Sequence, residues 1–456
     1  MELNKNIFRE YDIRGVYPTD INADVAYRMG RSYGSYLQEK YNNNRCVIGY
    51  DNRLSSRELN EYLIKGLLES GCDIINIGLC TTPTLYYARY LYNRPGIMIS
   101  ASHNPKEDNG FKFSLDSPIN ASGEEIKNFM RYTLANNFRS GQGTYRFTDL
   151  TDEYVSYLQK DIKMGKRNLK VVVDCGNGTA SIIDEKAFDI YAFEVKYIFT
   201  SSDGTFPHHH PDPNVEENLE RLKEVVLNEK ADIGIAFDGD EDRLGVIAGD
   251  GSFIEPDKLM IIFIRDLINK VNNKTFLYDV KCSKSLSDEI IALGATPICY
   301  RTGASYTSGK VIEEEIPFGG EYSGHLYFND GKYPIGSGIM AGLRLLEILS
   351  NSECSLIDLL KGITHYINSP EERVEVADEV KFAVIDKVKK YCKEKNYQFL
   401  DIDGVRVEFS DGWALVRASN TGPNLSCRFE ALTKERLEEL MREFKSLIDK
   451  IINKGD

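Results

Sequence analysis

The sequence predicts an α/β protein, built as three related α/β domains with mixed sheets plus a smaller α+β C-terminal domain. Short β-branched runs alternate with helical patterns through the first three quarters of the chain. A weak internal repeat emerges when the strand ends are aligned, and near residue 367 the pattern changes to hairpins.

The first strand of each repeat reads Cys46-Val47-Ile48-Gly49-Tyr50-Asp51, Val171-Val172-Val173-Asp174 and Phe276-Leu277-Tyr278-Asp279. Each ends in Asp and runs into a polar segment that starts a helix. A second strand follows that helix: Asp73 to Ile77, Phe193 to Tyr197, Thr296 to Cys299. A third ends in a loop crowded with functional groups: Ser100 to Pro105 (SASHNP), Asp238 to Arg243 (DGDEDR) and Gly320 to His325 (GEYSGH). Open α/β sheets place ligands beyond the carboxyl ends of their strands, so these three loops are where chemistry is expected. The C-terminal segment predicts a helix near 378–393, a hairpin of Val405–Phe409 and Trp413–Arg417 turning at Asp411-Gly412, a strand at Asn424–Phe429 and a helix at Thr433–Ile452. The expected domains are 1–148, 149–250, 251–367 and 368–456.

Length and charge agree with several domains and exclude some roles. The 456 residues suffice for three or four cores, and the net charge of −14 argues against a nucleic-acid partner. No apolar run approaches the ~18 residues of a membrane span, and the start lacks the apolar core of a signal peptide, so no membrane partner and a cytoplasmic location are expected. Nine cysteines, scattered and without a C-x-x-C pair, predict reduced and mostly buried thiols.

Asp238, Asp240 and Asp242 alternate on a turning loop, where three carboxylates can converge on one hard cation, the alternative being a solvated acidic turn. An EF-hand fails, because Arg243 and Gly249 occupy the places of its glycine and its bidentate glutamate. Ser102 lacks the Gly-x-Ser-x-Gly context of a hydrolase elbow, and His103, adjacent in an extended loop, is expected to point away from its hydroxyl. Phosphoryl transfer remains open to Ser102, with Lys112 able to return an ammonium to the same loop. Arg417-Ala418-Ser419-Asn420-Thr421-Gly422 offers a guanidinium, hydroxyls and an amide as an anion cradle, the alternative being an ordinary Ser/Asn turn, and Arg428 on the next strand suits either that cradle or a structural clamp. His208, His209 and His210 alternate in direction between prolines and rarely share an ion.

Together these segments, from Phe8 to Glu430, resemble the α-D-phosphohexomutase superfamily, most closely its bacterial phosphomannomutase/phosphoglucomutase branch. The resemblance implies four domains around a central cleft and interconversion of hexose 1-phosphate and hexose 6-phosphate through a phosphoserine and a hexose 1,6-bisphosphate. It implies Ser102 as the phosphoryl carrier, with His103, Arg243 and Lys112 as catalytic partners, Lys112 being the candidate for proton handling. Asp238, Asp240, Asp242 and the Ser102 oxygen become Mg²⁺ ligands, and the hexose 1,6-bisphosphate serves as activator and intermediate. Glu321, Ser323 and His325 become the sugar-reading residues; Arg417, Ser419, Asn420 and Thr421 the site of the non-transferring phosphate; Tyr11, Arg14 and Lys281 substrate-binding positions. Three Asp and a phosphoserine amount to about −5 against a +2 ion, so Arg243, Lys112, Arg9 and Arg14 are expected nearby as counter-charge. The resemblance implies hexose phosphates as partners and a chain that is a monomer or homodimer.

Two positions depart from the family pattern. Ala304 stands where a histidine is usual, with Tyr306 as a substitute, and Ser337 stands where Asp is common. SASHNP is shared with phosphoglucosamine mutases, whereas Tyr322 and the Arg417 to Glu430 stretch favour the mannose/glucose type. A Mg-dependent sugar-phosphate phosphatase and a non-catalytic sugar-phosphate-binding regulator are the readings from other classes.

Overall fold

The computed structural model describes residues 3–116, 118–377, 379–419 and 422–453. It divides into two compact units, Met1–Pro256 with Ser323–Leu359, and Asp257–Tyr322 with Leu360–Asp456.

The first unit holds two sheets of one plan. In the first, the order is Ile13–Val16, Asp108–Phe113, Gly96–Ile99, Arg45–Tyr50, Asp73–Leu79 and Tyr145–Phe147. The last four are parallel, while Asp108–Phe113 returns antiparallel to Gly96–Ile99. In the second, Ile233–Phe237, Lys170–Asp174 and Glu194–Ile198 are parallel, and Leu244–Ala248 returns antiparallel. The first strand of each repeat thus lies between the second and the third. The second unit repeats the order, with Thr275–Asp279 between Thr296–Tyr300 and Phe318–Gly320. Central strands such as Val171-Val172-Val173 are wholly buried, as expected of parallel strands covered on both faces.

The Asp that ends each first strand has one local job. The Asp51, Asp174 and Asp279 side chains each accept from the backbone N–H two residues on, at Arg53 (3.0 Å), Gly176 (2.8 Å) and Lys281 (3.3 Å). These Asx turns take the chain off the strand toward the following helix.

The C-terminal domain is an antiparallel sheet. Val405–Phe409 and Gly412–Ala418 pair as a hairpin with Phe409 opposite Gly412, and Asn424–Ala431 lies on the other side of Gly412–Ala418. Leu437, Leu440, Phe444 and Ile448 recur at helical spacing along helix Lys434–Asn453 and pack on Val405, Val407, Val416 and Phe429. Among the described residues no helix is long and apolar enough to cross a membrane.

Candidate active site

Ser102 follows strand Gly96–Ile99 and has φ +51°, a left-handed conformation that non-glycine residues adopt at a cost of about 1–3 kcal/mol. The turn is held from beneath by Arg53. Its buried guanidinium donates to the carbonyls of Ser102 (2.7 Å), Asn104 (2.6 Å), Pro105 (2.6 Å) and Asp108 (3.0 Å). The Ser102 hydroxyl donates to Asp238 Oδ2 at 2.7 Å and lies 3.3 Å from His103 Nδ1. The expectation that His103 points away is therefore corrected: it assumed an extended loop, and the positive φ at Ser102 turns the two side chains to the same side.

Asp238, Asp240 and Asp242 are buried, with a carboxylate oxygen of each within 4.8 Å of the others. They follow strand Ile233–Phe237 on a loop that closes against the serine turn. A Cβ at Gly239 would lie 2.6 Å from the Ser102 carbonyl, so this approach requires glycine. Lys112, on the return strand, donates to Asp240 (2.7 Å) and Asp242 (2.8 Å). Burial opposes the Lys112 charge, but these two carboxylates outweigh it and hold its pKa well above the ordinary lysine value. Asp238 faces the Arg243 guanidinium at 3.9 Å, but burial together with Asp242 and Asp240 outweighs that charge and pushes its pKa well up. One ammonium and one guanidinium do not balance three carboxylates, and the buried Asp240 Oδ1 accepts no hydrogen bond among the described residues. An oxygen-only, charge-deficient trio with an unused acceptor fits a hard divalent cation, so the residues present fit Mg²⁺.

Sequence reasoning missed what secures this loop. Thr82, at the start of helix Thr82–Tyr92, gives its backbone N–H to the Asp240 carbonyl (3.0 Å) and its hydroxyl to Asp240 Oδ2 (2.5 Å). Ser100 adds a hydroxyl bond to the same oxygen at 3.0 Å. Glu241 is fully buried with φ +73°, and its Oε1 accepts from Ser337 Oγ (2.7 Å) and Ile339 N (2.8 Å), at the start of helix Gly338–Ser350. Burial pushes its pKa up to about 8.

The other predicted residues of the first unit gather around this core. Arg243 lies 3.9 Å from Asp238 and 3.7 Å from Asp212. His325 Nε2 is 3.3 Å from Asp242, and its Nδ1 pairs with Ser323 Oγ at 2.8 Å. Arg14 donates to Asn104 in the serine turn and to Asp12; Tyr11 is half-buried in the turn before it. Arg9 is exposed and has no side-chain contact with the trio among the described residues, so it does not supply the expected local counter-charge. The histidine run is structural: His208 bonds Asn177 at 2.7 Å, and His209 lies 3.3 Å from Asp174.

In the second unit, Arg417 is held by Asp403 at 3.0 Å, and the Ser419 carbonyl accepts from the buried Lys381 at 2.7 Å. Asn420 and Thr421 lie outside the described residues. Lys281 is 3.4 Å from Glu371, and Glu321 accepts from the Gly303 backbone N–H. Burial would raise the Glu371 pKa, but Lys281, Ser426 and Arg417 overcome it and bring it down to about 2. Arg428 is buried over the Tyr322 ring at 3.6 Å and donates to the Lys281 carbonyl, which is the clamp role. Tyr306, beside Ala304, packs under the Arg301 guanidinium at 4.1 Å. Asp403 and Lys381 sit in stretches with no motif, and nothing in the sequence singled them out.

Family models match the chain in four consecutive pieces: phosphoglucomutase/phosphomannomutase α/β/α domain I over residues 5–140, domain II over 152–251, domain III over 255–366 and the C-terminal domain over 371–447. A phosphomannomutase/phosphoglucomutase of Pseudomonas syringae pv. tomato is 39% identical over 98% of this chain and 96% of its own length. A phosphoglucomutase of Neisseria meningitidis serogroup A is 36% identical over 98% and 97%. A crystal structure of a phosphoglucomutase/phosphomannomutase family protein from Burkholderia thailandensis superposes with a TM-score of 0.92 at 35% identity, covering 99% of each chain. With the serine turn, the acidic trio and near end-to-end similarity pointing the same way, the chain belongs to the phosphoglucomutase/phosphomannomutase family.

Proposed function

We propose that the chain is a phosphohexomutase that interconverts the 1- and 6-phosphates of glucose, mannose or both. The observation that carries this reading is the buried Ser102 hydroxyl, bonded to Asp238 within an acidic trio partly neutralised by Lys112. In the proposed cycle, phosphorylated Ser102 gives its phosphoryl group to the free hydroxyl of a hexose monophosphate. The P–O bond to Ser102 breaks, a P–O bond to the sugar forms, and the proton of the sugar hydroxyl ends on the freed Ser102 oxygen, with His103 Nδ1 beside it at 3.3 Å. The hexose 1,6-bisphosphate turns over and returns its other phosphoryl group to Ser102, so the same bisphosphate acts as activator. Asp238, Asp240 and Asp242, with a Ser102 oxygen, would hold Mg²⁺, which when bound supplies positive charge to the transferring oxygens.

Lys112, held protonated between two carboxylates, acts as counter-cation in this arrangement rather than as a proton acceptor. Arg243 adds charge beside Asp238. His103, its pKa held well below the ordinary value by burial and by Arg243 and Arg14, is a neutral imidazole able to share the Ser102 proton. Glu321, Ser323 and His325 read the sugar hydroxyls; Arg417, Ser419, Asn420 and Thr421 take the other phosphate; Tyr11, Arg14 and Lys281 complete the binding set. The four loops belong to the four domains 1–148, 149–250, 251–367 and 368–456.

A coupled assay with glucose 1-phosphate, mannose 1-phosphate and glucosamine 1-phosphate, each with its bisphosphate, tests the reading. Isomer formation from the first two is expected, and Ser102→Ala abolishes it while the far-UV spectrum is retained. Phosphate release in excess of isomer, or substantial turnover by the serine variant, would contradict the assignment.

A further inference from the structure

Glu241 presents a contradiction that its surroundings resolve. It sits between two of the proposed cation ligands with φ +73°, where glycine is the favoured residue, and it buries an acidic side chain completely. Strain and burial both count against a glutamate there. What it gains is a fixed attachment: Oε1 takes hydrogen bonds from Ser337 Oγ and Ile339 N, and its backbone carbonyl takes the Gly338 N–H at 2.9 Å. The start of a 13-residue helix, where backbone N–H groups have no partner within the helix, is thereby bound to the acidic loop. Ser337 serves both sides, since its hydroxyl oxygen also accepts from Met340 N at 3.1 Å.

We infer that Glu241 is a positioning residue: its side chain pins the loop so that Asp240 and Asp242 present their carboxylates to a divalent cation. Support of this kind, one step behind the ligands, commonly changes metal affinity 10–100-fold when removed. The inference rests on the cation reading of the trio, and the two fail differently.

The test is calorimetric titration of Mg²⁺ into the dephosphorylated full-length chain, with kcat and KM measured on the same preparations. Glu241→Gly keeps a backbone suited to the left-handed conformation and removes the pin; its Mg²⁺ Kd is expected to rise at least tenfold, with kcat falling at limiting Mg²⁺ and the hexose-phosphate KM unchanged. Ser337→Ala is expected to move Kd in the same direction by less. Glu241→Gln keeps an acceptor oxygen for both donors and is expected to stay within about threefold of the unsubstituted chain. Unchanged Mg²⁺ affinity in Glu241→Gly, or a loss in Glu241→Gln as large as in Glu241→Gly, overturns the positioning role. No Mg²⁺ binding by the unsubstituted chain overturns the cation reading itself.

Discussion

Lys112 shows how far one side chain balances this site. It is buried and contacts two carboxylates that are themselves buried, on a chain whose net charge is −14. Replacing it with methionine preserves most of the volume and leaves Asp240 and Asp242 without their cation. Breaking such a buried pair typically costs about 3–5 kcal/mol, because the remaining charge stays desolvated. Lys112→Met is therefore expected to unfold at markedly lower urea concentration in EDTA, and to regain part of the difference when Mg²⁺ is added. Equal urea midpoints in EDTA would mean that the trio is not charged in the way the contacts imply. At this scale the sequence was informative where chemistry is packed into a short motif, as in SASHNP and DGDEDR. It was silent about Arg53, Thr82 and Asp403, whose partners lie remote in sequence or in segments that carry no pattern. Thr81 reads as an ordinary helix cap, and only folding shows that its neighbour Thr82 holds Asp240.

Elements were legible in proportion to the periodicity of their cores. The three strand-ending aspartates were visible as a repeat, and their Asx turns explain why Asp recurs there without joining the chemistry. The hairpin at Ser410-Asp411 and the amphipathic C-terminal helix were equally plain, since each follows from a local rule. The proline-flanked loop at 207–213 was less so, and its histidines brace the second sheet. Burial disfavours a charged His209, but the Asp174 bond and charge, with the His210 carbonyl, outweigh it and raise the pKa above 6.5. A raised folded-state pKa means the protonated form binds its surroundings more strongly in the folded chain. The stabilisation is complete below the unfolded value and is lost as pH rises through the folded one. The His209 contribution to urea stability is accordingly expected to fall as pH rises from 6 toward 8, while His103 and His210, whose pKa values burial lowers, contribute in the opposite sense, and His209→Gln should remove only the falling part. An identical slope in the variant would assign the pH dependence to other groups.

For the molecule as a whole, the scattered cysteines predict reduced, mostly buried thiols, and the structure buries most of them. All nine cysteines are free thiols; seven are buried, Cys299 is half-buried and Cys354 is exposed. The thiolate is the reactive form, and burial in apolar surroundings disfavours it. Burial is the leading cause that holds Cys175 and Cys282 well above the ordinary thiol value and brings Cys299 and Cys427 up to about 12. Cys46 and Cys72, with sulfurs 3.6 Å apart, are packed in the core of the first sheet, where a reagent reaches neither. A thiol-reactive disulfide reagent is therefore expected to modify one cysteine promptly in the native chain, and Cys354→Ser should remove that reaction. After unfolding in guanidinium chloride without reductant, nine should titrate. Seven in place of nine would reveal a disulfide, with Cys46–Cys72 the first pair to inspect, and would mean that a covalent cross-link contributes to stability.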